Sequence, residues 1–159
     1  MRADEGGALR DMRLAALEES PAAFASAYDT EASRTDREWT ERAQLGAVGF
    51  DRVTFFAVVH DGIVGLIGGF RPDTGGSTVE LVSMWTAPAA RRMGVARALV
   101  AAVVGWAKDA SATTVHLWVT RGNEPALHLY ESMGFRQTGD SEPLPSDPTK
   151  DQLAMTLDL

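Results

Sequence analysis

The sequence predicts an α/β domain of the α+β kind, with a mixed, mostly antiparallel central sheet flanked by helices. Three observations carry this. Before residue 53 the apolar positions recur at helical spacing and no strand pattern occurs. Residues 53 to 86 are dense in β-branched and aromatic residues, broken by Asp61-Gly62 and by a glycine-containing loop. After Pro88 the period becomes helical again, and strand patterns return twice before the end.

The elements follow in order. Leu9, Met12, Ala16 and Leu17 mark a first helix over residues 8 to 18, which Ser20-Pro21 interrupts. Pro21 suits the start of a second helix carrying Phe24, Ala27 and Tyr28 on one face. Thr35 with Glu38 reads as a capping box opening a short helix with Trp39 and Ala43. "VTFFAVVH" and "IVGLIGGF" then form a hairpin about an Asp61-Gly62 turn. "RPDTGGS" is a loop and "TVELVSMWT" a third strand, completing an antiparallel meander. Gly65, Gly68 and Gly69 weaken their strand by propensity, so close backbone packing is their expected use. Val95, Ala98, Leu99, Ala102, Val103 and Trp106 define an amphipathic helix. "TTVHLWVT" is a strand. Asn123 caps the next helix, Pro125 fits its first turn and Gly134 its left-handed end. "SEPLPSDPTKD", with three prolines, is expected to be a loop before a last strand, "DQLAMTLDL".

Composition narrows the function. A chain of 159 residues fits one domain, 1–159, with no repeat or linker. A formal charge of −7 argues against nucleic acid as partner. The absence of cysteine removes disulfides and thiolate chemistry, and His60, His116 and His128 lack ligand spacing, so no metal is expected. No apolar run of about 18 residues occurs and "MRADEGGALRD" has no signal-like core, which predicts a cytoplasmic protein with no membrane partner. Arginine in excess of lysine, with abundant alanine and glycine, points to a bacterial source.

Against this acidic background, "TAPAARRMGVARALV" sets three arginines around one glycine at a helix start. The first N–H groups of a helix lack internal acceptors and its dipole favours negative charge, so the turn is a candidate phosphate site. Gly94 permits close backbone approach, Ala96 keeps it open, and Arg91, Arg92 and Arg97 add charge-assisted donors. The alternative is a solvated arginine cluster. A nucleotide P-loop would need Gly-Lys-Ser/Thr, and a dinucleotide fingerprint three glycines; neither is present.

The pattern Arg91-x-x-Gly94-x-Ala96, just beyond a strand-ending proline, resembles the pyrophosphate turn of the GNAT superfamily of N-acetyltransferases. "RGNEPALHLYESMGF" is similar to a second family segment, through Asn123, Ala126, Leu129, Tyr130, Gly134 and Phe135. Element order agrees over residues 8 to 157. The resemblance implies a GNAT-like sheet; with about eight residues ahead of Leu9, the family's first edge strand is short or missing.

It further implies acetyl transfer from acetyl-CoA to a primary amine of a small molecule or a peptide, through a tetrahedral intermediate. A non-catalytic acyl-CoA-binding sensor is the alternative. Met84, Trp85 and Thr86 would lie along the pantetheine, and the N–H groups of Arg92, Met93, Gly94, Val95, Ala96 and Arg97 would hold the pyrophosphate, with Arg91, Asn123 and Ala126 in the same site. Tyr130 corresponds to the general acid toward the CoA sulfur; the bland reading is that it packs. Glu80, inside an apolar strand and on the face of Val82 and Met84 if no bulge intervenes, is a candidate base; the bland reading is an exposed or ion-paired carboxylate. His116, facing with Trp118, is read as structural. Phe24, Tyr28 and Trp85 are candidates for the acceptor side, with Glu31 or Glu80 attracting an ammonium, and a homodimer is a family habit.

Overall fold

The computed structural model describes residues 1–73 and 76–159; Thr74 and Gly75, inside the loop expected at 71–77, lie outside the described residues. The helices are α1 (Gly6–Glu19), α2 (Tyr28–Ala32), α3 (Asp36–Val48), α4 (Val95–Asp109) and α5 (Glu124–Ser132). The strands are β1 (Arg52–Val59), β2 (Gly62–Phe70), β3 (Thr78–Thr86), β4 (Thr114–Thr120), β5 (Arg136–Leu144) and β6 (Asp147–Asp158). They form one sheet in the order β1-β2-β3-β4-β6-β5. All neighbours are antiparallel except β3 and β4, which α4 connects as parallel strands. Among the described residues no strand precedes α1, in keeping with the short or missing edge strand. No described helix is long and apolar enough to cross a membrane.

Alternation along the strands feeds two apolar layers. On one face Ile67, Val79, Leu81, Val115 and Leu117 pack with Val100 and Val103 of α4 and Leu127 and Tyr130 of α5. On the other, Leu66 and Trp85 pack with Leu9, Ala16 and Leu17 of α1 and Trp39 and Ala43 of α3. The capping box that opens α3 forms as expected: the Thr35 hydroxyl accepts from Glu38 N–H at 3.3 Å, and Thr35 N–H donates to Glu38 Oε2 at 2.7 Å.

Four local expectations change. Pro21 opens only a 3-10 turn, Pro21–Ala23, and Phe24 is extended (φ −131°, ψ 142°), because its ring is drawn into the α1 layer. The first hairpin turns one residue earlier than expected, on His60-Asp61: Val59 pairs with Gly62, and His60 takes the positive φ of 52°. The proline-rich stretch is a hairpin rather than a loop. Pro143 sits in β5, the last strand of the sheet, and Pro148 in the part of β6 that extends beyond β4, positions where a missing N–H costs no ladder bond.

The fourth change is a bulge in β3. Leu66 pairs with Trp85 and Gly68 with Val82, so Ser83 and Met84 together oppose Ile67. Ser83 takes φ 58°. Beyond this point the faces exchange: Met84 packs with the α4 layer and Trp85 with the α1 layer. Glu80 and Met84 therefore do not share a face, contrary to the simple alternation.

Close packing at the glycines is confirmed. A Cβ on Gly65 would lie 2.8 Å from the Trp85 carbonyl oxygen, and one on Gly69 3.0 Å from Val103 Cγ1. Gly65→Ala is accordingly expected to destabilise by about 1–3 kcal/mol in urea unfolding, since backbone rather than a flexible side-chain tip must shift. A change within about 0.5 kcal/mol would show that β2 and β3 can separate freely there.

Candidate active site

The two parallel central strands part company within the sheet. Pairing of β3 with β4 runs from Thr78↔Thr114 to Leu81↔Leu117 and ends there, although β3 continues to Thr86 and β4 to Thr120. Beyond the split lies a cavity of about 620 Å³, within the range of small-molecule sites. Met84, Trp85 and Thr86 form its strand wall, and Asn123, Pro125, Ala126 and Leu129 its α5 wall. Ser20 and Ala23 close it on the α1 side.

The turn before α4 forms its remaining edge through Arg91, Arg92, Gly94, Val95, Ala96 and Arg97. Gly94 occupies the N-cap with φ 82° and ψ −1°, and a Cβ there would meet nothing within 4 Å. The turn therefore opens onto free space, and the unpartnered first N–H groups of α4 border the cavity. Arg92, at φ 63°, is exposed beside them. The residues present thus fit a phosphate-bearing ligand whose chain runs toward the strand split.

A family model for the acetyltransferase (GNAT) family matches residues 13–135. The chain belongs to the GNAT family of acetyltransferases. It is 35% identical over 96 residues to N-acetyltransferase 8 of Rattus norvegicus, a match covering 57% of this chain and 43% of that protein. This chain spans less than half the length of the curated relatives it matches, which are mammalian and lend no support to the bacterial source expected from composition. Its fold is similar to that of a GNAT-family acetyltransferase from Streptococcus pneumoniae, with a TM-score of 0.83, 16% identity, and coverage of 100% of this chain and 96% of that one. A Salmonella typhimurium protein solved with its cofactor acetyl-CoA gives a TM-score of 0.78 at 18% identity, covering 100% and 91%.

Most residues expected to hold the cofactor line this cavity, with two exceptions. Met93 does not line the cavity and is 63% exposed. Tyr130, one turn beyond Ala126 on α5, is not among the lining residues; it is buried and edge-on to Phe135 at 5.6 Å. Burial pushes its phenol above the ordinary tyrosine value, so it is protonated at neutral pH.

The acceptor-side expectations are sorted by burial. Phe24 is core: it sits under the Arg13 guanidinium, 4.5 Å from the ring centroid, and has no cleft face. Tyr28 is half exposed at the start of α2, and Trp85 is buried yet borders the cavity. Glu31 cannot attract an ammonium. It is 2% exposed and held by Arg42 at 2.5 Å, Arg34 at 2.8 Å and Arg13 at 3.7 Å. Burial alone would raise its carboxyl, but the field of Arg42 and the hydrogen bonds from Arg34 and Arg42 prevail and lower it. Glu80, partly buried, faces its register partner His116, with 2.8 Å between Oε2 and Nδ1, and His116 is edge-on to Trp118.

Glu19 carries no motif, and sequence reasoning missed it. At the end of α1 its Oε2 accepts from Arg91 Nη2 at 2.6 Å, from Trp85 Nε1 at 3.0 Å and from the Ser20 hydroxyl. One carboxylate thus fixes the cavity's strand wall and its arginine turn together. These bonds, that from Arg91 foremost, lower its pKa to about 2. A depressed carboxyl stabilises the fold above its ordinary pKa near 4.5 and loses that contribution as pH falls toward 2. Glu19→Gln is expected to cost about 1 kcal/mol at pH 7, a third of the side chain being exposed to screening solvent. The difference from wild type should shrink between about pH 4.5 and 2 in urea titrations. A gap constant with pH would separate Glu19 from this linkage.

Proposed function

We propose that this chain is an acetyl-CoA-dependent N-acetyltransferase acting on a primary amine, by direct attack through a tetrahedral intermediate. The observation that carries this reading is the cavity at the β3–β4 split, which joins an open helix N-terminus to unpaired strand backbone. Amine attack on a thioester needs those two things together: an anchor for the distant phosphates and a donor where the oxyanion develops.

In this reading the first N–H groups of α4 and the Arg92 guanidinium bind the pyrophosphate. Arg91 and Arg97 shape the turn instead, since Arg91 is engaged by Glu19 and Arg97 donates to Ser132 Oγ at 2.7 Å. The pantetheine lies along Met84–Thr86, where a backbone N–H freed by the split polarises the thioester carbonyl. One such donor is worth about 3–4 kcal/mol of barrier. Tyr130, held protonated by burial, supplies the proton to the departing thiolate. Glu80, paired with His116, takes a proton from the acceptor's ammonium, directly or through water, and the neutral amine so formed attacks the thioester.

Acetyl-CoA at about 1 mM is expected to raise the melting temperature by several degrees, through mass action on the folded state. With an amine panel it should release free CoA. No melting shift would overturn the site; a shift with no turnover on any amine would leave a binding module and overturn the enzyme.

Tyr130→Phe is expected to lower kcat about 10²-fold, with the acetyl-CoA KM changed by less than about twofold. The phenylalanine ring preserves the packing on Phe135, so unchanged kcat would remove Tyr130 from the mechanism.

A further inference from the structure

A second cavity, of about 140 Å³, lies on the opposite side of the β3 bulge, between α1, α3 and the first three strands. Three arginines line it, Arg13, Arg42 and Arg52, and among the described residues no Asp or Glu does. In a chain of net charge −7 such a lining is unexpected. The apolar remainder comes from Leu9, Leu66, Phe70 and Val82, and Gly68 leaves the floor without a side chain.

The arginines are incompletely satisfied. Arg13 is 5% exposed, and its Nε is buried with no hydrogen-bond partner. Its Nη1 reaches Ser83 Oγ at 3.3 Å and its Nη2 only approaches Glu31, at 3.7 Å. Arg42 shares the same carboxylate, as does Arg34 from outside the cavity, so Glu31 faces three cations. Arg34 has a further partner in Glu38 at 3.8 Å. Arg52 lies over the Phe70 ring at 5.4 Å, and among the described residues no carboxylate pairs with it. Burial lowers Arg13 to about 10, Glu31 opposes that, and Arg42 and Arg34 add to it; it is still cationic at neutral pH. An anion in the cavity would relieve this repulsion and give Arg13 Nε a partner.

We infer that this cavity binds the carboxylate of the acceptor, so that the substrate class is a small amino acid: an amine with a carboxylate a few bonds away. The assignment rests on the acetyltransferase reading for where the amine must arrive. Ser83 lines the arginine cavity and Met84, the next residue, lines the larger cavity, so the two cavities meet the same strand at its bulge. A carboxylate gripped by planar guanidinium groups on one side of the bulge directs its own amine to the other. The volume suits a carboxylate head with a short stem, not a peptide segment.

The test is calorimetric and needs no turnover. Protein saturated with CoA is titrated with N-acetyl amino acids and with their matched carboxamides, and separately with inorganic phosphate. The acids are expected to bind at least tenfold more tightly than the amides, and Arg52→Gln to bring that ratio near one while Arg52→Lys restores part of it. Arg52 stands at the start of β1 and its replacement leaves the Arg13–Glu31 contacts in place; should the variant not fold, the wild-type ratio alone decides. Equal binding of acid and amide overturns the inference, as does phosphate binding with no preference for acid over amide, which marks the cavity as a site for free anions. The same titration records CoA binding first. Its absence defeats the acetyltransferase reading, while the acid-to-amide ratio still judges the arginine cavity.

Discussion

The bulge at Ser83–Met84 is the constraint on which the rest of the site depends. With strict alternation, Trp85 would lie on the face of Val79 and Leu81, under α4. The extra residue sends Trp85 to α1, where its indole N–H meets Glu19, and turns Met84 toward the larger cavity. The left-handed backbone at Ser83 costs of order 1 kcal/mol. Burial of Trp85 and the bond from Arg13 to Ser83 Oγ offset it. Gly65 completes the device, because only a residue without Cβ lets β2 pass so near the Trp85 carbonyl. β3 leaves β4 after Leu81, just before the bulge, and the cavity opens beyond that point.

Charge is distributed to match. The turn at Gly94 looked, in sequence, like three arginines waiting for phosphate. Two of them have protein partners, which in the proposed reading leaves the helix terminus itself, with Arg92 beside it, to attract the anion. Backbone N–H groups fixed by the fold need no reorganisation when a ligand arrives, whereas a flexible arginine must give up rotamer freedom. Net charge, read from composition, says nothing about either cationic concavity, because both are local.

Elements with a strong period or cap were legible: α1 and α4 from apolar spacing, α3 from Thr35 and Glu38, α5 from Asn123 and Gly134. The wall of the larger cavity was legible for the same reason, since Gly94 and Asn123 report backbone requirements that depend on few neighbours. What escaped depended on tertiary pairing. The prolines of β5 and β6 read as a loop, and only the sheet order shows that their missing N–H groups lie where no partner strand runs. Phe24 has the spacing of a helix face, yet its burial under Arg13 pulls the backbone extended. Glu19 and Glu31 are ordinary acidic residues in sequence. Their importance comes from partners up to 72 positions away, which no local pattern encodes.

Helix α1 joins the two cavities mechanically. Arg13, in the lining of one, and Glu19, which pins the turn of the other, lie six residues apart on the same helix, about 9 Å along its axis. Leu9, Ala16 and Leu17 anchor that helix to Leu66 and Trp85, the residues paired across β2 and β3 beside the bulge. A displacement of α1 therefore shifts Arg13 and Glu19 together, and with them Ser83, Trp85 and Arg91. The acceptor and cofactor sides of the proposed site are held in register by one rigid helix and one strand irregularity.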